Sequence, residues 1–361
     1  MERILHDGEA DGLVALESLD IGKADSVADL LQRMSRTAFG GRSLGEAFEV
    51  LTEMAEDPEC MIVATVSGAM TVAKMGRLLC EMIERGLAHV MVSTGAIMAH
   101  GLSEAIGGTH YKVDSSMSDA LLYDRGYNRV YDTLEMEANL SEAFRTMSEV
   151  LEGLDWSRPT SSWQINREIG RRLLEQNQMP SILGCACQRD VPVYVPAFTD
   201  SELGLDVATH FLAASWGREE TNDAAALFRA APPFNPFLDL YDYAQRALTA
   251  KRLGIFTIGG GVPRNWAQQI GPFVDIINMR LGTDWTVPRF TYGVRICPEP
   301  VHWGGLSGCS YAEGVSWGKF LSPEDGGRFA EVHCDATIAW PLLMRAFLES
   351  RDGTIKGKET E

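Results

Sequence analysis

Short apolar runs rich in β-branched residues recur along the chain and alternate with amphipathic stretches. The apolar runs cover residues 61–66, 88–93, 191–195, 253–258, 273–277 and 290–296. Each has the length of a buried parallel strand. Between them, residues 71–85, 137–153, 162–176 and 239–251 have the apolar spacing of helices that cover one face of a sheet. The alternation predicts an α/β fold with a doubly wound, mostly parallel sheet of the Rossmann-like class.

The two ends of the chain differ from this central pattern. Residues 1–40 are predicted to form a short helical N-terminal extension, with one helix at 26–36. Residues 351–361 are a polar tail that we expect to fray. Residues 41–350 then form a single domain, which the length of 361 residues allows.

The composition argues against several function classes. A net charge of −18 opposes binding to nucleic acid or anionic membranes and suits a cationic small molecule, although an acidic surface also serves solubility. No apolar run approaches the ~18 residues of a membrane span, and the first residues lack the apolar core of a secretory signal, so we expect a cytoplasmic protein. The seven cysteines are irregularly spaced. Cys185 and Cys187 have no second ligand pair, so we expect helix-lining thiols and no metal site.

Small residues follow directly after three of the predicted strands. The segments are Ser67-Gly68, Ser93-Thr94-Gly95 and Gly259-Gly260-Gly261. Glycine lets backbone N–H groups approach a phosphate, and the carboxyl ends of parallel strands meet at one edge where ligands bind. No G-x-G-x-x-G fingerprint follows the first strand. Taken alone, the triple glycine is more typical of a plain strand-to-helix turn than of a phosphate loop.

One lysine stands beside a tryptophan between two small residues. Lys319 ends the heptad Glu313-Gly314-Val315-Ser316-Trp317-Gly318-Lys319. A lysine is almost always protonated at its ordinary pKa near ~10.4, and burial against an apolar wall lowers that pKa until the amine is nucleophilic. We expect Trp317 to supply that wall and to keep Lys319 away from bulk water. Spacing alone favours a surface lysine after a tight turn.

This heptad resembles the active-site signature of deoxyhypusine synthases, and further segments match that family in the same order. They are Ser67-Gly68-Ala69-Met70, Ser93-Thr94-Gly95-Ala96, Pro196-Ala197-Phe198-Thr199-Asp200, Gly259-Gly260-Gly261-Val262, Trp303-Gly304-Gly305-Leu306-Ser307-Gly308 and Asp335-Ala336. The resemblance implies NAD as a recycled catalyst, a polyamine such as spermidine as donor, and a lysine imine that carries an aminobutyl group. It also implies a homotetramer with active sites at subunit interfaces.

The resemblance assigns the cofactor site residue by residue. The NAD-binding positions of the family correspond to Ser67, Gly68, Ala69, Met70, Thr71, Thr94, Gly95, Ala96, Asp200, Gly260, Ser307, Asp335 and Ala336. Asp200 and Asp335 each have an alternative role, because an aspartate at the start of a helix also serves as an N-cap or turn residue.

The same resemblance assigns the chemistry. Lys319 corresponds to the nucleophile, with Trp317 and Glu313 beside it, and His100 replaces a proton-handling glutamate of the family. A histidine titrates near neutrality, although a core histidine is an equal alternative. The predicted substrate-binding residues are Asn265, Gly304, Glu313 and Trp317.

Several acidic groups that bind polyamine in the family are replaced in this chain. The corresponding positions hold Ala99, His100, Leu205 and Leu306, and a family histidine is replaced by Asn265. A buried ammonium group is costly without an acidic partner. Two roles are open for the nearby acids Glu202, Asp206 and Glu299: they take the place of the lost family carboxylates, or they are solvated surface residues. These replacements are similar to the bacterial deoxyhypusine synthase-like branch, which is linked to homospermidine formation.

The leading hypothesis from the sequence is an NAD-dependent aminobutyltransferase that acts on polyamines through a Lys319 imine, with putrescine as acceptor, as in homospermidine synthases. Two alternatives stay open: a deoxyhypusine synthase that modifies a protein lysine, and a catalytically silent homologue that binds NAD or polyamines. Retention of Lys319, Trp317 and Glu313 argues against the silent homologue, because a binding module needs no nucleophile.

Overall fold

A six-stranded parallel sheet forms the centre of the molecule. The computed structural model describes residues 3, 5–216, 224–229 and 231–358. Its strands are β1 (Cys60–Val66), β2 (Val90–Ser93), β3 (Tyr111–Lys112), β4 (Tyr127–Val130), β5 (Thr133–Met136), β6 (Val193–Tyr194), β7 (Arg252–Ile258), β8 (Phe290–Ile296) and β9 (Arg328–Val332). The order across the large sheet is β6-β2-β1-β7-β8-β9, with parallel pairing throughout. The predicted α/β class with a mostly parallel sheet is confirmed, while the doubly wound Rossmann-like arrangement stays a prediction.

Helices connect and cover these strands. They are α1 (Val27–Met34), α2 (Phe39–Glu56), α3 (Gly76–Glu84), α4 (Gly95–Ala105), α5 (Asp119–Asp124), α6 (Glu137–Glu152), α7 (Ser162–Glu175), α8 (Ile182–Gln188), α9 (Glu202–Trp216), α10 (Ala224–Leu227), α11 (Phe237–Thr249), α12 (Gly261–Gln268), α13 (Ile270–Leu281), α14 (Tyr311–Ser316) and α15 (Ala336–Lys358). Cys185 and Cys187 lie on α8, as expected of helix-lining thiols.

Strand β1 shows how the core is divided. Ile62 and Ala64 pack into one apolar cluster, and Val63 packs into a second cluster. Successive side chains of a strand point to opposite faces, so the two clusters lie on opposite faces of the sheet. The first contains Trp340 of α15 and the second contains Tyr243 of α11. Apolar side chains on both faces explain why the strands read as continuous apolar runs.

The central strands end at the same level. Val66, the last residue of β1, pairs with Ser93 at the end of β2 and with Ile258 at the end of β7. Because all three strands are parallel, the loops that follow them emerge at one edge of the sheet. The fold therefore brings the small-residue segments of the sequence together, as expected.

One predicted strand is wrong, and other strands escaped prediction. Residues 273–277 belong to helix α13, which ends at Gly282 in the left-handed conformation with φ of 70°. A short apolar run does not by itself distinguish a strand from a buried helix, and a glycine after the run is the better signal of a helix end. Strand β9 was missed because charged residues interrupt it, and β3, β5 and β4 form a separate antiparallel sheet.

The N-terminal extension contains the predicted helix and packs on the domain. Ser26 caps α1, since its hydroxyl accepts from the N–H of Asp29, and the N–H of Ala28 donates to Glu349 of α15 at 3.0 Å. Helix α15 continues to Lys358 and so extends into the predicted polar tail. The predicted polar tail is thus helical through most of its length, and residues 359–361 lie outside the described part. None of the described helices has the length and hydropathy needed to span a lipid bilayer.

Candidate active site

Hydrogen bonds between neighbouring loops build the edge of the sheet where β1, β2 and β7 end. Ser67 follows β1, and its Oγ accepts from the N–H of Gly260 at 2.8 Å. Thr94 follows β2, and its Oγ1 donates to the carbonyl of Gly68 at 3.2 Å. These two contacts join all three predicted phosphate loops. The structure therefore brings the predicted cofactor residues of these loops together.

Glycine is required at two points of this edge. Gly259 has φ of 83°, in the left-handed region, and a Cβ there would lie 2.3 Å from Ser67 Oγ. A Cβ on Gly260 would lie 2.6 Å from the Cα of Ser307. Any larger residue would push these loops apart. Ser67, Gly260 and Ser307, each assigned to NAD from the sequence, are thereby held in contact.

The start of helix α4 has no side-chain cap among the described residues. Thr94 makes no capping bond to the first turn, so the N–H groups from Gly95 onward have no side-chain cap. Free N–H groups at a helix start favour an anion such as the pyrophosphate of NAD. The loops and this helix start therefore fit the dinucleotide that the resemblance implies. Thr71 is less available, because it is buried and its Oγ1 donates to the carbonyl of Ile97 at 3.2 Å.

The two predicted aspartates are exposed and stand before helices. Asp335 accepts from the N–H of Thr337 at 2.8 Å, so it performs the helix-start role that was its alternative. Ala336 is buried as the first residue of α15. Asp200 stands two residues before the first residue of α9 and is exposed. NAD binding by Asp200, Asp335 and Ala336 stays a prediction.

The side-chain amine of Lys319 is buried and has one hydrogen-bond partner among the described residues. The residue is 7% exposed, and its Nζ donates to Asn265 Oδ1 at 3.0 Å. Its backbone is fixed on both sides, because its N–H donates to Gly314 and its carbonyl accepts from Phe290. Burial lowers the pKa of Lys319, and the nearby charge of Arg264 acts in the same direction. This environment favours the neutral amine that nucleophilic chemistry requires.

A cavity of about 240 Å³ surrounds this lysine. Its lining includes all the predicted substrate-binding residues together with the nucleophile, namely Asn265, Gly304, Glu313, Trp317 and Lys319. Leu306 is also in the wall, and the next residue, Ser307, contacts the glycine loop of the cofactor edge. The amine and the predicted dinucleotide loops are therefore neighbours.

Trp317 does not fulfil its predicted role in the single chain. Its side chain lines the cavity but is 65% exposed, so it does not exclude water from Lys319. The reason is local: Trp317 caps the C-terminal end of α14, and Gly318 turns the chain with φ of 68°. This turn directs Lys319 inward and leaves Trp317 at the cavity mouth. Glu313 is likewise exposed.

His100 lies in a different place. It is buried on α4, its Nδ1 is 3.1 Å from Glu135 Oε2, and it is not among the residues that line the Lys319 cavity. His110 Nε2 lies 2.5 Å from the same oxygen, a close contact whose angle is not that of a hydrogen bond. Burial alone would raise the pKa of Glu135, but the contacts with His100, His110 and Asn139 outweigh it and hold that pKa well below its usual range.

The ligand atoms of His100, His110 and Glu135 are close enough together to hold a metal ion. A contact with a neighbouring lysine favours a state of the three residues without a metal ion. Lys74 Nζ is 2.8 Å from His110 Nδ1, and an ammonium group donates, so the imidazole proton lies on Nε2 and faces Glu135. The three residues then form a buried polar cluster around the Glu135 carboxylate. The predicted catalytic role of His100 gains no support from this position, and it stays a prediction.

Two positions at which this chain lacks a family acid lie close to two of the acids that were expected to compensate for the loss. Ala99 and Leu205 line a second cavity, of about 120 Å³, with Glu202 and Asp206. Burial, assisted by the charge of Glu202, raises the pKa of Asp206 to about 6. Glu299 is not among the residues that line the Lys319 cavity, but its carboxylate lies behind Gly305, which does line it, and a Cβ on that glycine would collide with the carboxylate.

The sequence interpretation overlooked several residues of the Lys319 cavity, among them two buried polar ones. Arg264 and Gln268 line it from α12 and are almost fully buried. They stand four residues apart and therefore on the same face of that helix. A cation and an amide on one helix face, with Asn265 next to the cation in the sequence, were the available signal. The burial of Arg264 and Gln268, however, depends on packing against residues that are distant in the sequence, such as Tyr311, whose ring centroid lies 5.4 Å from the guanidinium carbon of Arg264.

Comparison with known proteins identifies the family of this chain. Residues 29–347 match the family described as deoxyhypusine synthase. An Archaeoglobus fulgidus protein named “Probable deoxyhypusine synthase 2” is 32% identical over 318 residues, covering 88% of this chain and 97% of that protein. An Elusimicrobium minutum “Deoxyhypusine synthase-like protein” is 29% identical over 331 residues, covering 91% and 82%.

A solved structure shows the same fold at low sequence identity. The Entamoeba histolytica protein, described as a candidate deoxyhypusine synthase, covers 92% of this chain and 96% of its own, with a TM-score of 0.55 and 13% identity. Its likeness concerns the fold alone. The family match and the archaeal relative together establish that this chain belongs to the deoxyhypusine synthase family.

Proposed function

We propose that this protein transfers a 4-aminobutyl group from a spermidine-like polyamine to a small amine through an imine on Lys319, in the manner of a homospermidine synthase. Family membership implies NAD-dependent aminobutyl transfer from spermidine. The observation that carries the proposal is the buried Lys319 amine, held by Asn265 in a cavity beside the dinucleotide loops. The acceptor and the roles of the individual residues are the proposal itself.

The residues of the sheet edge would hold the cofactor. Ser67, Gly68, Thr94, Gly95 and Gly260 provide backbone groups and close approach at the start of α4 and beside α12. When bound, NAD supplies a hydride acceptor for the carbon beside the secondary amine of spermidine and returns the hydride at the end, so the net redox state is unchanged.

Lys319 performs the transfer. Its neutral nitrogen adds to the carbon of the oxidised C=N bond, the bond from that carbon to the leaving nitrogen breaks, and 1,3-diaminopropane departs with the proton that the lysine nitrogen gives up. An acceptor amine adds to the same carbon and displaces Lys319. Asn265 orients the lysine through the amide oxygen that Nζ meets. Glu313, at the cavity mouth, would attract the ammonium groups of the polyamine.

A partner subunit would complete the site. Trp317 and Glu313 are exposed at the cavity mouth, together with Val301 and Leu306. An exposed apolar rim around a reactive amine suits an interface between copies of the chain, as the family resemblance implies for a tetramer. Light scattering at working concentration should give a mass above that of one chain. A monomeric mass with full activity would refute this assembly.

Product analysis tests the reaction. Incubation with isotope-labelled spermidine, NAD and putrescine should release 1,3-diaminopropane and place the label in free homospermidine. The position of Leu306 in the cavity wall, where the family has an acidic residue, favours a small acceptor over a protein segment with a further charged group. Label in a protein lysine, without free homospermidine, would support the deoxyhypusine synthase alternative. Binding of NAD and spermidine with no product would support a silent homologue.

A further inference from the structure

The wall of the Lys319 cavity contains a cation that the proposed function does not use. Arg264 is 2% exposed, and its Nη1 donates to the carbonyl oxygen of Cys309 at 2.7 Å. Its Nε and Nη2 have no hydrogen-bond partner among the described residues. One helical turn along α12, the buried Nε2 of Gln268 also lacks a partner within that part of the chain. Both side chains line the cavity that holds Lys319.

The two unpaired groups of Arg264 form one complete edge of the guanidinium. Nε and Nη2 point to the same side of the planar group, and such an edge binds both oxygens of a carboxylate through parallel hydrogen bonds. A buried donor without a partner destabilises the folded chain, and more so when the donor is charged. Proteins retain such costs mainly at functional sites, where a ligand removes them.

The charges around the cavity favour an anion at this edge. The buried Arg295, whose charge acts on Arg264, is itself paired with Glu331 at 2.6 Å. Glu313 is the single acidic residue among those that line the cavity in the described structure, and it stands exposed at the mouth. A neutral ligand atom would satisfy the donors of Arg264 but leave its charge uncompensated. A carboxylate does both.

We propose that Arg264 and Gln268 form a carboxylate subsite, so that the acceptor is an amino acid with a second amino group at the far end of its side chain. That amino nitrogen reacts at Lys319, while the carboxylate remains on Arg264 and takes no part in bond making. The inference rests on the proposed function for the reaction and narrows its acceptor. A simple diamine such as putrescine would be the poorer acceptor, because it leaves Arg264 unpaired.

Two probes that differ by one carboxylate test the subsite: L-ornithine and putrescine. Calorimetry on NAD-saturated Lys319→Ala, which forms no imine, should show ornithine binding about tenfold more tightly than putrescine. Adding Arg264→Gln should remove that preference, and Gln268→Leu, which keeps the guanidinium, should reduce it about threefold. Arg280→Gln, which removes an exposed arginine from α13, is the matched control and should leave the preference intact.

Two results would overturn the subsite. Equal affinities for ornithine and putrescine would show that no carboxylate is recognised, without recourse to any Arg264 variant. A loss of NAD affinity in Arg264→Gln as large as the loss for ornithine would assign the donors to the amide of the cofactor. The reaction is judged separately: transfer to putrescine without ornithine preference refutes the subsite alone, whereas ornithine binding at Arg264 without transfer to any amine refutes the reaction and supports the subsite.

Discussion

Two buried polar clusters of this protein differ in whether the chain completes them. Glu135 accepts from Asn139 at 2.6 Å and is met by both His100 and His110, so polar groups of the chain itself surround the carboxylate. Arg264 uses one guanidinium nitrogen and leaves an edge unpaired beside Lys319. Each cluster buries an ionised group at a cost, but only the first has its partners within the described chain. We infer from this difference that the Glu135 cluster stabilises the fold, whereas the unpaired edge of Arg264 binds a ligand.

Removal of the acid from the complete cluster should have the largest effect on stability. Glu135→Ala removes the buried carboxylate that His100 and His110 contact, and leaves His110 with Lys74 as its neighbour. This loss should lower the free energy of unfolding by about 3–5 kcal/mol. Glu142→Ala, which breaks an exposed pair with Arg145, should cost less than about 1 kcal/mol. Urea unfolding measures both, and equal small losses would contradict the structural role.

The same cluster predicts an acid limit to stability. The folded-state pKa of Glu135 lies below its usual value of 4.5, so the folded state binds fewer protons than the unfolded state as the pH falls. The stabilisation is therefore complete above pH 4.5 and lost as the pH falls further. Glu135→Ala should remove that part of the pH dependence.

A negative charge placed beside the lysine should move the pH profile of activity. Burial lowers the pKa of Lys319, so the reactive neutral amine forms at lower pH than in an exposed lysine. Asn265→Asp stabilises the ammonium form and should shift the rising limb of kcat/KM to higher pH by about one unit. Gln269→Glu, on the same cavity wall, should shift it less. A limb that stays in place would belong to a group other than Lys319.

Loss of the carboxylate at the cavity mouth should have a smaller effect. Because Glu313 is exposed, Glu313→Gln should raise the KM for the polyamine by about fivefold, equivalent to about 1 kcal/mol, and less at high salt. The exposed Glu324→Gln serves as the control and should change nothing. The fivefold change is the value for a Glu313 that stays solvated at the rim of the proposed interface, whereas a loss of a hundredfold or more would place Glu313 in the buried centre of that interface.

Replacement of the incomplete cation should have the smallest effect on stability. Arg264→Met removes unpaired buried donors together with the bond to Cys309, and these contributions oppose each other. The free energy of unfolding should change by less than about 1 kcal/mol. A loss as large as that expected for Glu135→Ala would show that Arg264 also stabilises the fold, and the distinction between the two clusters would fail.

Local patterns in the sequence predicted some features of the site, while features that depend on distant contacts escaped them. Apolar runs and glycine segments located the strands and the loops at their ends, because both signals lie within a few residues. The run at 273–277 misled because its length fits a strand and its helix end lies outside it. His100 was assigned to the site, but its partner, Glu135, lies on a separate sheet. The one hydrogen bond from the Arg264 side chain goes to the carbonyl of Cys309, 45 residues along the chain, so local spacing could not predict which guanidinium edge stays unpaired.

The central claim is that Lys319 carries the aminobutyl group as an imine. Borohydride added during turnover with NAD and spermidine should fix an aminobutyl adduct, and mass spectrometry of the digest should place it on Lys319. Lys319→Ala and Lys319→Arg should give no adduct and no transfer while still binding NAD, because neither side chain forms the imine. An adduct on another lysine, or full transfer by Lys319→Ala, would contradict the account.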